Sequence, residues 1–271
     1  MNKGGYLLLI IICVSCLAPV QGCGGGGGDS SVSPPSVDAC SAVGLRIING
    51  AACSAPSNSI VRLTLFAADG TVNLCSGSLI SSDRVLTAAH CFLLAPVVAV
   101  DLDVGGERSS GTLVSVHPQA RIDTSNLAVF NDVAIVQSAE AFSSPVLPIL
   151  LSTSVEVNDP VLIYGFGLDE NGDAGALRAG AMTISGVSEN HLFARFSGEG
   201  ANTCNGDSGG PALRFNQATD GTASSLSVVG VTSSGDPTTQ CLDGDTTLFA
   251  NVQNSEILDF ILSVAPEAGV I

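Results

Sequence analysis

Ser208 is the residue whose surroundings most strongly suggest chemistry. It stands in the segment Gly206-Asp207-Ser208-Gly209-Gly210. Glycines at such a site let backbone amide groups approach a substrate carbonyl without obstruction by side chains. The segment therefore predicts a serine that acts on a carbonyl group, although the pattern alone does not choose the fold that presents it.

The positions of the histidines decide between two arrangements of a serine nucleophile. The segment also satisfies G-x-S-x-G, the strand-to-helix turn of α/β-hydrolases, in which the histidine follows the serine along the chain. The three histidines of the sequence, His90, His117 and His191, all precede Ser208. The α/β-hydrolase arrangement is therefore excluded, and the order that survives is histidine, aspartate, serine.

Three separate motifs occur in this order. They are Leu86-Thr87-Ala88-Ala89-His90-Cys91, Asn131-Asp132-Val133-Ala134-Ile135 and Cys204-Asn205-Gly206-Asp207-Ser208-Gly209-Gly210-Pro211. Together they resemble the chymotrypsin/trypsin-like serine protease family, and the resemblance runs from Arg46 to the C-terminal helix. It implies an all-β fold of two six-stranded antiparallel β-barrels, with the catalytic residues in the cleft between them.

The resemblance also implies a role for each residue of the site. Ser208 would be the nucleophile, His90 the general base and then the general acid, and Asp132 the carboxylate that holds the imidazole. The backbone amides of Gly206 and Ser208 would form the oxyanion hole. Ser233 would support Asp132 from behind. The mechanism needs no cofactor, and the substrate would be a peptide bond in a protein or peptide.

The same alignment with the family implies which residues form the primary specificity pocket. Asn202 would lie at its base, where trypsin-like enzymes carry an aspartate, and Ser233, Gly235 and Thr247 would form its walls. Without a full negative charge, an Arg or Lys side chain of the substrate would be desolvated with no partner. We therefore expect an uncharged residue of medium size before the scissile bond.

One departure from the family allows a second alignment of the pocket residues. The segment from Gly235 to Cys241 is longer than is usual in the family, which allows a second alignment of the residues after Cys241, Thr247 included. Asp243 or Asp245 would then reach the pocket instead.

A zymogen activation site is implied by Arg46-Ile47-Ile48-Asn49-Gly50. Cleavage after Arg46 would free an ammonium group on Ile47, which in the family pairs with the carboxylate that precedes the nucleophile, here Asp207. A buried carboxylate without a partner is destabilising by several kcal/mol, so the pocket should order only after cleavage. Because Asn202 carries no charge, we expect another protease to perform this activation.

The nine cysteines indicate an oxidising compartment. Setting aside Cys13, Cys16 and Cys23 leaves six, which suits three disulfides among fifteen possible connectivities, and no cysteine and histidine clusters have zinc-site spacing. The resemblance implies two pairs and leaves a third that would tether the propeptide: Cys75–Cys91, Cys204–Cys241 and Cys40–Cys53.

The N-terminal segment is predicted to be a secretory signal over residues 1–22. Lys3 is followed by the apolar run Leu7–Ile12 and then by small residues and cysteine. Val20-Gln21-Gly22-Cys23 resembles a bacterial lipoprotein cleavage box, which would attach lipid to Cys23 in the cell envelope; the alternative is an ordinary signal and a secreted protein. Polyglycine, serine and proline predict a flexible tether over residues 23–39.

The charge of the chain limits the classes of partner that the protein can bind. The 271 residues include 9 Lys+Arg against 25 Asp+Glu, a formal net charge of −16. Phosphate binding depends on a basic footprint, so nucleic acid is excluded, and any partner recognised by charge would be cationic. The acidic residues Asp101, Asp103 and Glu107 are close in sequence, but such clusters are usually solvated loops and predict no metal site.

The organisation of the chain follows from its apolar pattern. Short β-branched runs from Arg46 to Asn251 predict strands, and apolar residues spaced three to four apart predict a helix after a cap at Asn254. The expected parts are a propeptide end at 40–46 and a protease domain at 47–271, with barrels at about 47–147 and 148–252 and a helix at about 254–264. We expect a monomer. The alternatives are a catalytically silent binding module on the same fold and an esterase with the same triad.

Overall fold

Strands dominate the chain in this computed structural model, which describes residues 51–52, 59–216 and 225–271. In chain order, the strands of the first half are β1 (Ala51–Ala52), β2 (Ile60–Ala67), β3 (Val72–Ser81), β4 (Arg84–Thr87), β5 (Val97–Val104), β6 (Glu107–Val116), β7 (Arg121–Ile122), β8 (Val129–Phe130) and β9 (Ala134–Ser138). Those of the second half are β10 (Pro160–Gly165), β11 (Arg178–Val187), β12 (His191–Arg195), β13 (Pro211–Asn216), β14 (Ser225–Ser234) and β15 (Thr246–Asn251). The helices are α1 (His90–Leu93) and α2 (Ser255–Val264).

The first barrel closes through six antiparallel strands in the order β2-β3-β4-β9-β6-β5. Its interior follows from the alternation of side chains along a strand. In β2, Val61, Leu63 and Leu65 are buried while the residues between them are partly exposed. They pack against Leu79 and Leu102 from the neighbouring strands β3 and β5.

The second barrel is formed by β11-β10-β13-β14-β15-β12 and closes because β11 also pairs with β12. The short strand β1 adds to its outside, with Ala51 opposite Ala179. Two closed six-stranded antiparallel barrels confirm the predicted fold class.

Helix α2 begins and packs as its sequence predicts. The Asn254 side chain accepts hydrogen bonds from the backbone N–H groups of Glu256 and Ile257, at 2.8 and 3.1 Å, and so caps the helix. Ile257 and Ile261 lie one turn apart and are fully buried. They belong to a core cluster that also contains residues of both barrels, such as Ile135 of β9 and Val228 of β14.

Several sequence predictions fall outside the described residues. These are the signal segment, the tether with Cys23, the pair Cys40 and Cys53, and the activation site at Arg46 and Ile47. Within the part of the chain that is described, no helix has the length and apolar character needed to cross a bilayer.

Candidate active site

His90 and Ser208 reach one cleft from the two barrels, and Asp132 lies buried against His90. His90 opens α1, three residues after β4 ends, and Asp132 lies between β8 and β9 of the first half. Ser208 lies in the turn before β13, in the second barrel. His90 and Ser208 line the same cavity of about 470 Å³.

Asp132 holds His90 at two points. The carboxylate oxygen Oδ2 lies 2.8 Å from His90 Nδ1, and Oδ1 accepts a 2.8 Å hydrogen bond from the backbone N–H of the same histidine. Asp132 is 0% exposed. These contacts fix the ring and commit Nδ1 to the carboxylate, which leaves Nε2 as the nitrogen available for proton transfer.

Ser233 supplies a further hydrogen bond to the same carboxylate. Its hydroxyl group donates to Asp132 Oδ2 at 2.5 Å. Because Ser233 lies on β14 of the second barrel, this bond ties the aspartate of one barrel to the wall of the other. The sequence predicts this supporting position.

The two ionisable groups shift each other's pKa in opposite directions. Burial acts to lower the pKa of His90, but the charge of Asp132 and its hydrogen bond outweigh burial, so the pKa is raised above the ordinary value. Burial acts to raise the pKa of Asp132, and the attraction of His90 with the hydrogen bonds from His90 and Ser233 lowers it overall. The pair is therefore built to favour an imidazolium beside a carboxylate.

Glycine is required next to Ser208. Gly209 has φ of +86°, and a Cβ atom there would lie 2.1 Å from Thr87 Oγ1 and 2.3 Å from the Ser76 carbonyl oxygen. The Ser208 carbonyl oxygen accepts a 2.7 Å hydrogen bond from the Ser76 N–H. These contacts hold the turn against the first barrel. In the described chain, the Ser208 hydroxyl forms no hydrogen bond with His90.

The predicted oxyanion hole has two free donors. Among the described residues, no group accepts a hydrogen bond from the backbone N–H of Gly206 or of Ser208. Gly206 has φ of +99°, and a Cβ atom there would lie 2.8 Å from Gly167 Cα, so only glycine fits. The Ser76 hydroxyl donates to the Gly206 carbonyl oxygen at 2.9 Å. No local pattern of the sequence marks Ser76, because its partner Gly206 lies 130 residues further along the chain.

Asp207 is a buried carboxylate held by neutral donors. It is 2% exposed, and its two oxygens accept hydrogen bonds from the N–H groups of Gly167 at 2.8 Å and Cys204 at 2.9 Å. Burial raises its pKa to about 6, although these hydrogen bonds and the charge of Arg178 act in the opposite direction. Among the described residues, no cation forms an ion pair with it.

The residues predicted for the specificity pocket lie close together, and Asp245 joins them. Asn202 and Thr247 are 0% exposed and hydrogen-bonded to each other at 2.9 Å. The Asn202 amide donates to Asp245 Oδ2 at 2.9 Å. Ser233 and Gly235 line a small cavity beside Ser208, as does Asp245.

Two of the implied disulfides are formed in the structure. Cys75–Cys91 joins β3 to α1 next to His90, and Cys204–Cys241 joins the Ser208 loop to the segment that precedes β15. Both bridges therefore hold elements that carry the site.

In the acidic cluster of the first barrel, Asp103 and Glu107 are paired with other groups of the protein. Asp103 forms ion pairs with Arg62 at 3.0 Å and with Arg108 at 3.2 Å. Glu107 accepts a hydrogen bond from the Ser143 N–H at 3.0 Å. In the described part of the chain, no group of three or more acidic, histidine or cysteine side chains has the arrangement of a metal site.

Comparison with known proteins shows which family shares this architecture. The sequence matches the Trypsin family over residues 47–261. Ovochymase of Halocynthia roretzi is 32% identical over 197 residues, covering 61% of this chain and 12% of ovochymase. Serine protease SP24D of Anopheles gambiae is 33% identical over 170 residues, covering 55% of this chain and 61% of SP24D. The chain thus spans less than two thirds of either relative.

A solved structure agrees with the fold. HL collagenase superposes with a TM-score of 0.63 at 22% sequence identity, covering 81% of this chain and 99% of that chain. The two barrels, the histidine held by a carboxylate and the serine followed by glycine together define the class of trypsin-fold proteins. The match to the Trypsin family covers residues 47–261 and is specific. The chain belongs to the trypsin family. The bacterial lipoprotein interpretation is not borne out by these relatives.

Proposed function

We propose that this protein is a serine endopeptidase that hydrolyses peptide bonds through an acyl-enzyme. One observation carries the proposal: the fully buried Asp132 holds His90 through both ring and backbone, in a cleft that Ser208 also lines. Family membership supports it independently. A protein or peptide is therefore the proposed substrate.

The proposed mechanism uses only groups of this chain. Ser208 Oγ attacks the substrate carbonyl while His90 Nε2 takes its proton, and Asp132 stabilises the resulting imidazolium. The N–H groups of Gly206 and Ser208 bind the oxyanion, each lowering the barrier by about 3 kcal/mol. His90 then protonates the leaving amine, and water repeats the sequence on the acyl-enzyme to release the acid.

Activation by cleavage after Arg46 is part of the proposal. The new ammonium group of Ile47 would pair with Asp207, whose carboxylate is buried and has no ion-pair partner among the described residues. Neutral hydrogen bonds leave its pKa raised to about 6, so a cation at this site would stabilise the charged form. An activating protease would make this cut.

The proposed location is outside the cytoplasm. Two disulfides in the described part of the chain favour an oxidising compartment. The signal over residues 1–22 would direct export. The proposal is a secreted protein that acts as a monomer.

A fluorophosphonate probe tests the proposed function. The full chain is cleaved after Arg46 and compared with uncleaved protein, with Ser208→Ala and with Ser110→Ala, an exposed serine of β6. We expect labelling only in cleaved protein that keeps Ser208, and unchanged labelling of Ser110→Ala. Labelling before cleavage would remove the activation step. A folded, cleaved wild type that does not react would contradict the enzyme and favour the binding module.

A further inference from the structure

The backbone that leads into Asp132 is held by the second barrel. Strand β8 and the residue after it, Asn131, precede Asp132 directly. Their contacts come from Asn190, in the connection between β11 and β12, and from His191, the first residue of β12. Asn131 and Asn190 are 59 positions apart in the sequence, so only the folded chain brings them together.

Asn131 and Asn190 are joined by two hydrogen bonds. The backbone N–H of Asn131 donates to Asn190 Oδ1 at 2.8 Å, and Asn190 Nδ2 donates to Asn131 Oδ1 at 2.7 Å. A backbone N–H can only donate, which turns the oxygen of the Asn190 amide towards it. The Asn190 nitrogen then requires an acceptor, which is the Asn131 oxygen. Both amide orientations are therefore determined by these contacts.

Asn131 has a backbone conformation that needs support. Its φ is +49°, in the left-handed region that most residues with a Cβ atom avoid. Asparagine tolerates this region better than most residues, and glycine adopts it freely. A change of φ at this residue would redirect the chain where it enters Asp132. The place of the carboxylate therefore depends on Asn131 staying in this conformation.

His191 holds the two residues before Asn131. It is 4% exposed, and its Nε2 lies 2.8 Å from the Val129 carbonyl oxygen. A carbonyl oxygen only accepts, so Nε2 carries the proton and donates it. The His191 ring also contacts the Phe130 ring edge to face, with 5.1 Å between the centroids. Val129, Phe130 and Asn131 are thus each bound by the second barrel.

His191 makes these contacts as a neutral group. Burial lowers the pKa of His191, although its hydrogen bond to Val129 and the charge of Asp132 act in the opposite direction. The pKa of His90 is raised instead. His191 is therefore mainly neutral at the pH where His90 loses its proton, and it supplies a hydrogen-bond donor rather than a charge.

The connection that carries Asn190 is fixed to its own barrel and to helix α2. The backbone N–H of Asn251, the last residue of β15, donates to the Asn190 carbonyl oxygen at 3.0 Å. Asn254, which caps α2, donates from Nδ2 to the Glu189 carbonyl oxygen at 3.1 Å. Asn190 is therefore presented to the first barrel from a support that is itself hydrogen-bonded on two sides.

We infer that Asn190 and His191 are positioning residues for Asp132 and that they act on catalysis from the opposite barrel. This inference rests on the proposed function. Asp132 holds His90 through both carboxylate oxygens, so a displacement of the carboxylate is passed to the imidazole. A misplacement of about 1 Å is enough to slow proton transfer strongly. Ser233 donates to the carboxylate itself, whereas Asn190 and His191 hold the backbone that carries it.

Replacing Asn190 by alanine tests the inference. The full chain is cleaved after Arg46, and kcat per folded molecule and KM are measured with fluorescein-labelled casein at a pH where His90 is neutral. We expect kcat of Asn190→Ala to fall about tenfold. KM should change less than twofold, because Asn190 does not line the cleft of His90 and Ser208. Glu189→Ala, which removes an exposed side chain of the same connection, should keep the kinetics of the wild type.

Asn190→Asp is the conservative variant. Its carboxylate still accepts the Asn131 N–H, and the Asn131 amide can turn over to donate its nitrogen to the second oxygen. We expect kcat of Asn190→Asp to lie within about threefold of the wild type. Recovery by aspartate and not by alanine would show that the two hydrogen bonds, rather than stability alone, are required.

Two variants of His191 keep the test open if Asn190→Ala does not fold. In His191→Gln, the amide nitrogen replaces Nε2 as the donor to Val129, and kcat should stay within about threefold of the wild type. In His191→Phe, a ring remains against Phe130 but no donor is left, and kcat should fall about tenfold. Equal kcat values for these two variants would overturn the inference.

The proton between His90 and Asp132 reports their geometry directly. Its ¹H NMR signal should lie at low field, because His90 Nδ1 lies 2.8 Å from a carboxylate oxygen. We expect this signal to broaden or move to higher field in Asn190→Ala and to return in Asn190→Asp. Glu189→Ala should keep the signal of the wild type.

The outcomes separate positioning from stability and from the proposed function. A folded Asn190→Ala with the wild-type kcat and an unmoved signal, and only a lower midpoint of urea unfolding, would overturn the inference. A cleaved, folded wild type that neither hydrolyses casein nor reacts with the fluorophosphonate is a different result, because it would overturn the proposed function itself.

Discussion

The hydroxyl group of Ser76 donates a 2.9 Å hydrogen bond to the carbonyl oxygen of Gly206, 130 residues further along the chain. The same hydroxyl accepts a 3.0 Å hydrogen bond from the backbone N–H of Phe166. Ser76 is 0% exposed and lies on β3 of the first barrel, whereas its two partners belong to the second half of the chain. One side chain therefore holds the residue whose N–H would bind the oxyanion.

Replacing Ser76 should weaken transition-state binding more than substrate binding. In Ser76→Ala, the Gly206 carbonyl and the Phe166 N–H lose their buried partner, which should lower the free energy of unfolding by about 2 kcal/mol. Because Gly206 is then held less firmly, we expect kcat to fall about tenfold with little change in KM. Affinity for a peptide boronic acid, which forms a tetrahedral adduct, should fall in parallel.

Ser78→Ala provides the matched control for Ser76. Ser78 is 1% exposed on the same strand and has no hydrogen bond to Gly206 in the described chain. It should keep the kinetics of the wild type. Equal losses of affinity for the boronic acid and for a product peptide would show that Ser76 acts only on stability.

Removing the Ser233 hydroxyl should move the pH profile of activity. The hydrogen bond from Ser233 lowers the pKa of Asp132. Without it the carboxylate is more basic and holds the His90 proton more strongly, so the pKa of His90 rises further. Since catalysis needs neutral His90, the acidic limb of kcat/KM should shift to higher pH in Ser233→Ala, with a loss of about fivefold at the optimum.

The control for Ser233 lies on the same strand. Ser227 is 0% exposed on β14, and its hydroxyl has no hydrogen-bond partner among the described residues. Ser227→Ala should leave the acidic limb where it is in the wild type. An unchanged acidic limb of kcat/KM in Ser233→Ala would mean that Ser233 does not affect the pKa values of His90 and Asp132.

Asp207 should make the uncleaved protein lose stability as pH rises. Its pKa in the folded chain is raised to about 6 from 3.8, so the folded state binds the proton more tightly than the unfolded state. This stabilisation is full below the unfolded value and is lost between about pH 4 and 6, amounting to about 3 kcal/mol. Urea unfolding of Ser208→Ala protein across this range would measure it.

Cleavage after Arg46 should abolish this loss. An ammonium group paired with Asp207 favours the charged carboxylate, so the cleaved protein should keep its stability through the same pH range. In Asp207→Asn, cleaved and uncleaved protein should have the same pH dependence. Identical curves for the two forms of the Asp207-containing protein would contradict the activation proposal.

The disulfide Cys204–Cys241 should stabilise the protein and its pocket together. The bridged residues are 37 positions apart, and closing a loop of this length limits the unfolded chain by about 3–4 kcal/mol on the entropic model. Cys241 also donates its N–H to Asp245. Replacing both cysteines by serine should lower the free energy of unfolding by this amount and raise KM for peptide substrates. An unchanged KM would show that the disulfide does not affect substrate binding.

The sequence alone was sufficient for the family and the predicted triad. His90, Asp132 and Ser208 each stand in a motif of several adjacent residues, and the order of the motifs excluded the other serine fold. The strands and the capped helix α2 followed from apolar periodicity, since burial of alternate or every third to fourth residue is a local property of the chain. Two barrels followed from the resemblance, and the strand pairing confirms them.

The side-chain contacts around Gly206 and Asn202 were decided by tertiary structure. Ser76 meets Gly206 only because two barrels pack together, and nothing near Ser76 in the sequence marks its distant partner. Register along the chain places Asn202 near the nucleophile, and only the closed fold brings the Asp245 carboxylate to the Asn202 amide at 2.9 Å. A motif fixes residue types over a few positions, whereas the direction of a side chain after a loop of altered length depends on how the whole chain closes around it.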